Sequence, residues 1–377
     1  MFTDLDGDGF ADLVLACEWG PLRVFRNQGG RFTEATHDWG LGAFTGWWNG
    51  VTAGDFDGDG QLDLVASNWG RNTRFQRYLA QPLRVHYGES NNDGVWDLLE
   101  TYFEPGFKKW TPWRDYDTVR GRFPALVEKC PTFRSYGEAG AEDVIGANLK
   151  STRQLEAATL DSMVFLNRGG KFVAKPLPPQ AQFSPAFGVT VGDFDGDGFE
   201  DVFLSQNFFD VEPETSRYDA GLGLCLRGDG AGGFKALGPR ESGVAVFGQQ
   251  RGCAVADYDG DGRLDVVVCQ SRDATQLFRN LGARPGLRVR LRGPAANPTG
   301  VGAVVRAKFG DRLGPAHEVH AGSGYWAQDG PVLVIATPAP PSQLWVRWPG
   351  GRALTIDLPA NARDIEVALE GTVKALR

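Results

Sequence analysis

The stretch GDFDGDGQLDLVAS, residues 54–67, sets Asp55, Asp57 and Asp59 at alternate positions, then Gly60, then Asp63. Carboxylates packed this closely repel one another, so the loop folds only where a cation meets it. The spacing indicates which cation. Oxygens at positions 1, 3 and 5, a sharp bend at 6, a backbone carbonyl at 7 and an oxygen at 9 form the front of a calcium-binding loop. Ca²⁺ takes roughly six to eight oxygens at about 2.3–2.6 Å. Gly60 permits the bend, and Gln61 offers the carbonyl.

The pattern recurs. Asp4, Asp6, Asp8 and Asp12 surround Phe10; Asp193, Asp195, Asp197 and Asp201 surround Phe199; Asp257, Asp259, Asp261 and Asp265 surround Arg263. A looser copy, GESNNDGVWDLLE, offers Glu89, Asn91, Asp93, the carbonyl of Val95, and Asp97, with Glu100 at position 12 as a conceivable further ligand. An EF-hand is excluded for the quoted loop. Its position 12 is Ala66, where an EF-hand needs a bidentate glutamate and a following helix, whereas Leu64–Ser67 reads as strand. The expectation is about five Ca²⁺, one per loop. Each loop supplies its own donors, so the ions are expected to be structural rather than bridges to a ligand.

A second repeat lies downstream. VFRNQGGRF (24–32), VFLNRGGKF (164–172), LFRNLGARP (277–285) and the looser LCLRGDGAGGF (224–234) place an apolar strand before a glycine-bearing turn. Asn and Gly suit the φ > 0 positions of a hairpin, so each copy reads strand–turn–strand. Loop, strand, hairpin and strand repeating at roughly 40–65 residues is the pattern of a propeller blade. The predicted fold is all-β: a six- to seven-bladed β-propeller over 1–283, then a small β-sandwich over 286–377. One blade without an acidic loop is expected near 160–190. A helical insertion is expected at about 113–160, where Ile145, Leu149, Leu155 and Leu160 recur at loosely helical intervals. In the C-terminal region LRVRLRG, GAVVRAKFG and LWVRWPGG alternate apolar and polar residues, and the basic residues of LRVRLRG are expected to face outward.

A formal net charge of −8 argues against nucleic acid as a partner. No apolar run approaches the ~20 residues of a membrane span. Five scattered cysteines without CxxC read as free thiols, with Cys253 and Cys269 the nearest pair should one bridge form. Reliance on several calcium loops fits an extracellular or periplasmic location. The chain opens directly on the first acidic loop, so a secretion signal is expected upstream.

The residues assembled so far resemble a known arrangement. DFDGDGQLDLVAS, paired with hairpins such as VFLNRGGKF, resembles the FG-GAP or VCBS repeat of integrin α-subunit propellers and bacterial secreted proteins. NPTGVGAVVRAKFG (297–310), HAGSGYWAQ (320–328) and LWVRWPGG (344–351) resemble the ASPIC/UnbV domain, and the combination is similar to the cartilage acidic protein family and its bacterial members. That family usually carries a Phe-Gly-Leu-Gly-like turn where this chain has VLVIATPAP (332–340). The resemblance implies a calcium-stabilised, secreted or surface-exposed propeller and no particular reaction.

Eight of eleven tryptophans precede residue 114. Trp47, Trp48, Trp110 and Trp113 fall in Gly- or Pro-flanked segments and are the candidate ligand-binding residues, able to stack on a sugar or grip a protein. No catalytic motif surrounds the four histidines. The leading expectation is a non-enzymatic binding or adhesion protein that recognises glycan or protein. The alternative is a propeller enzyme, lyase-like or a biosynthetic tailoring enzyme, for which His86, Tyr87, Arg114 and Asp115 would have to converge. Oligomeric state does not follow from the sequence.

Overall fold

The computed structural model describes residues 1–89, 94–213, 215–336, 339 and 341–376. The chain is all-β. Its framework is a set of antiparallel meander sheets in which every acidic loop joins the first strand to the second. The first sheet contains Phe2–Thr3, Asp12–Leu15, Arg23–Gln28 and Arg31–Glu34. The second contains Gly50–Gly54, Asp63–Ser67, Met163–Asn167 and Phe172–Pro176. Ala186–Gly192, Asp201–Gln206, Leu224–Gly228 and Phe234–Leu237 form the third, and Gln250–Ala256, Asp265–Gln270 and Asp273–Phe278 the fourth.

These strands are apolar on both faces, so a single sheet cannot bury itself; stacking does it. Val14 and Val24 pack with Leu64 and Phe165 between the first two sheets. Val65 and Val164 meet Val202 and Leu226 between the second and third. Phe203 meets Val266 and Val268 between the third and fourth. Sheets stacked face on face in chain order are the arrangement of propeller blades.

The separate blade expected near 160–190 is not present. The strands near 160–190 do not start a blade of their own. Met163–Asn167 pairs with Asp63–Ser67 and completes the second sheet, with Phe165 opposite Leu64. The intervening chain forms a separate sheet of different order, in which Leu83–Gly88 lies between Asp97–Glu104 and Arg153–Ala157, with Lys109–Pro112 outermost. The insertion is therefore larger than predicted and only partly helical. Helices Tyr116–Arg122, Leu126–Lys129, Phe133–Gly137 and Ala141–Ile145 pack Tyr116, Val119, Leu126 and Val144 against Leu99. Leu155, read as helical, lies on a strand, because alternation along 153–157 lets it pair with Val85. The hairpin expected at 277–285 is also missing. After Phe278 the chain leaves for the C-terminal region, and the fourth sheet keeps three strands.

Past residue 286, two sheets enclose one core that includes Val289, Val305, Leu344, Val346, Ile365 and Val367. Arg288 does not face outward as its alternation suggested. It is buried and reaches Asp257 and Asp364, two carboxylates that neutralise it. A segment of this region, 316–330, runs along the innermost strands of all four sheets. Phe2 donates its N–H to Ala321, Gly324 donates to Val51, and Asp329 accepts from Thr190 and from the N–H of Val255. All five cysteines are free thiols.

Candidate functional site

Each strong acidic loop is built by the same backbone bonds. The glycine at position 6 sits at φ +90° in Gly9 and Gly60, +94° in Gly198 and +85° in Gly262, a region that favours glycine. Its N–H donates to the position-1 carboxylate: Gly9 to Asp4 and Gly60 to Asp55 at 2.9 Å, Gly198 to Asp193 at 2.8 Å, Gly262 to Asp257 at 3.0 Å. The position-9 aspartate ties the loop to its sheet. Asp63 accepts from Phe56 at 3.0 Å and from Asn167 of the hairpin at 2.7 Å. Asp12, Asp201 and Asp265 do the same with Asn27, Gly228 and Asn280. Carboxylate oxygens converge within 4.8 Å in four groups: Asp4, Asp6, Asp8; Asp55, Asp57, Asp63; Asp193, Asp195, Asp197; Asp257, Asp259, Asp265.

The donor set fits a hard cation. Oδ1 of Asp4, Asp55 and Asp57 is buried without a hydrogen-bond partner, which costs free energy unless something cationic meets it. Burial also pushes the carboxyl of Asp12 up to about 7, those of Asp63 and Asp201 to about 8, and those of Asp55 and Asp193 to about 6. A bound ion would favour the ionised forms.

Part of the balancing charge comes from arginine, which the sequence reading missed. Arg26 reaches Asp6, Arg168 reaches Asp57 at 2.5 Å, Arg227 reaches Asp195 at 2.7 Å, and Arg279 reaches Asp259. Each stands next to the hairpin residue that donates to the position-9 aspartate, so FRN, LNR, LRG and FRN carried the signal. These guanidiniums are well exposed, so their attraction is screened. A second group comes from the C-terminal region. Arg347 contacts Asp4 at 2.7 Å and Arg288 contacts Asp257 at 2.5 Å. Arg306 lies so close to Gly60 that a Cβ there would fall 1.9 Å from its Nη1.

The fifth loop is only partly placed, since Asn91 and Asp93 lie outside the described residues. Glu89 accepts from the N–H of Gly94 at 2.7 Å, Asp97 pairs with Arg122, and Val95 is exposed. Glu100 faces Arg114 at 2.8 Å rather than the loop, because it lies on the strand that follows.

Away from these loops, a cleft of about 300 Å³ opens between the insertion, the Glu18–Gly20/Gly46–Trp47 strand pair and the segment after the third sheet's second strand. Trp47 meets Trp19, Trp69 and Phe75 edge to face with centroids 4.8, 5.3 and 4.9 Å away. Trp113 also lines it, with Phe75 stacked on its ring at 3.9 Å and the Arg74 guanidinium 4.3 Å from its centroid. Of the four tryptophans singled out, Trp47 and Trp113 share this cleft. Trp48 does not: it is 1% exposed in the core, and its indole N–H bonds to Phe44. Trp110 lies under Arg84, outside the cleft. The other walls, Trp19, Trp69 and Tyr218, come from distant segments with no shared motif.

The residues of the enzymatic alternative do not converge. Arg114 lines the cleft, tied to Glu100 and Glu212; Asp115 caps a helix through Thr118; His86 is buried in the inserted sheet; Tyr87 leans on Trp96.

No curated protein matches the chain. Residues 4–66, which hold the first two acidic loops and the hairpin between them, match the family described as FG-GAP-like repeat, a match that fits the all-β fold and, at a coarse level, suggests a propeller-type binding protein.

Proposed function

We propose that the protein is a calcium-stabilised binding propeller that works outside the cytosol and recognises glycan or protein. In this reading residues 1–283 are the propeller, and 286–377 are a β-sandwich of ASPIC/UnbV type docked on its acidic loops. Asp4, Asp6, Asp8 and Asp12, with their counterparts in the other loops, would hold the ions. A bound ion supplies positive charge that the exposed arginines provide only weakly. The aspartates then tie loop, hairpin and neighbouring strand into one unit. The observation that carries this reading is the identical bonding of four loops around buried carboxylate oxygens, some of them without a partner.

Metal analysis and thermal melting test it. About four to five calcium per chain and a large loss of melting temperature in EGTA, restored by Ca²⁺ and not by Mg²⁺, are expected. Protein that stays metal-free at millimolar Ca²⁺ and melts identically in chelator refutes it.

A further inference from the structure

We propose that the aromatic cleft around Trp47 is a saccharide-binding site that takes an uncharged pyranose unit of a glycan. This deepens the binding-protein reading above and rests on it.

Three observations point to a ligand of this chemistry. The indole N–H of Trp47 is buried and has no acceptor among the described residues. The ring itself is held by aromatic edges on three sides, so the N–H cannot turn away to find one. Second, Trp19, on the strand paired with that of Trp47, takes φ 56°, a left-handed conformation that tryptophan rarely adopts and that persists where the surroundings impose it. Third, the charges of the cleft divide into paired and free. Arg114 is bound to Glu100 and, at 2.6 Å, to Glu212. The carboxylate of Glu18 has no hydrogen bond or ion pair among the described residues. The guanidinium of Arg74 lies over the rings of Phe75 and Trp113 and has no ion pair among the described residues.

A pyranose uses all of these. Its C–H face covers indole surface, a hydroxyl or ring oxygen accepts from Trp47, another hydroxyl donates to Glu18, and a third accepts from Arg74. Competing ligands each leave something unmet. A quaternary ammonium suits an aromatic box but offers Trp47 no acceptor. An anionic sugar meets a surplus of acid, since Glu18, Glu100, Asp210 and Glu212 outnumber Arg74 and Arg114. A protein partner is disfavoured by size: the cleft is small, and the Arg114–Glu212 bridge crosses from the insertion to the segment after the third sheet's second strand.

The test uses the full chain with Ca²⁺ on an array of neutral, uronic and sulfated oligosaccharides, with choline titrated alongside by tryptophan fluorescence. Binding confined to neutral glycans is expected. Trp47→Phe, which keeps a ring and removes the N–H, should weaken it at least tenfold. Glu18→Gln, at an exposed position, should weaken it severalfold without moving the melting temperature. Selective binding of anionic glycans or choline, failure to bind any neutral glycan, or unchanged affinity in Glu18→Gln overturns the proposal. Chelator-sensitive melting is read separately, so the saccharide site can fail while the calcium reading stands.

Discussion

Arg347, at the end of a strand in the C-terminal region, places its guanidinium 2.7 Å from the carboxylate of Asp4 in the first acidic loop. Both side chains are largely buried, so neither is neutralised by water. Removing one partner of a buried pair leaves an uncompensated charge and costs about 3–5 kcal/mol. Arg347→Met should therefore destabilise the chelated protein by several kcal/mol. With Ca²⁺ bound the ion takes over part of the charge, and the loss should be smaller. Melting of wild type and variant in EGTA and in calcium measures the difference, and an equal loss in both contradicts the coupling.

Asn167 joins two loops from the hairpin of the second sheet. Its amide donates to the carbonyls of Leu5 and Leu62 at 2.8 and 3.2 Å, and the residue is fully buried. Asn167→Ala orphans both carbonyls at a cost of about 1–3 kcal/mol each. Urea denaturation should show a lower midpoint with an unchanged slope.

Gly324 holds the C-terminal segment against the inner strands. It sits at φ +59°, and a Cβ there would lie 2.2 Å from the carbonyl oxygen of Val189. Gly29 shares the sign of φ, at +63°, but has open space around it. Gly29→Ala should cost only the conformational penalty of about 1–2 kcal/mol. Gly324→Ala should cost clearly more and raise protease sensitivity within 316–330.

The same segment carries a pH dependence. His320 lies 3.5 Å from Asp329, which in turn holds Thr190 and Val255. Burial disfavours the imidazolium, but Asp329, with Glu318 and Glu200 nearby, raises the His320 pKa above its ordinary 6.5. Burial likewise opposes ionisation of Asp329, and the His320 contact still holds its pKa below 3.8. The histidine contribution is thus complete below pH 6.5 and is lost as pH rises through the elevated native value. The aspartate contribution is present above pH 3.8 and is lost as pH falls through its depressed one. Melting of wild type against His320→Gln should show the largest gap between these limits and a shrinking gap on the alkaline side.

The acidic loops were legible because their information is local. Alternate aspartates and a glycine at position 6 determine the bend, the convergence of oxygens and the strand that follows, all within about a dozen residues. The all-β class and three of the four hairpin turns followed from the same short-range rules; the fourth, at 277–285, did not form. The arginine at each hairpin was legible in principle, since it neighbours the repeated asparagine or glycine, but its target lies on another strand. Tertiary structure alone decided how the second sheet is assembled, because Asp63–Ser67 and Met163–Asn167, far apart in sequence, meet only by pairing Ala66 with Met163 and Leu64 with Phe165. It alone separated Trp47, which faces a cleft, from adjacent Trp48, which is sealed in the core. Neighbours on a strand point to opposite faces, and which face is covered depends on chain that packs there from far away.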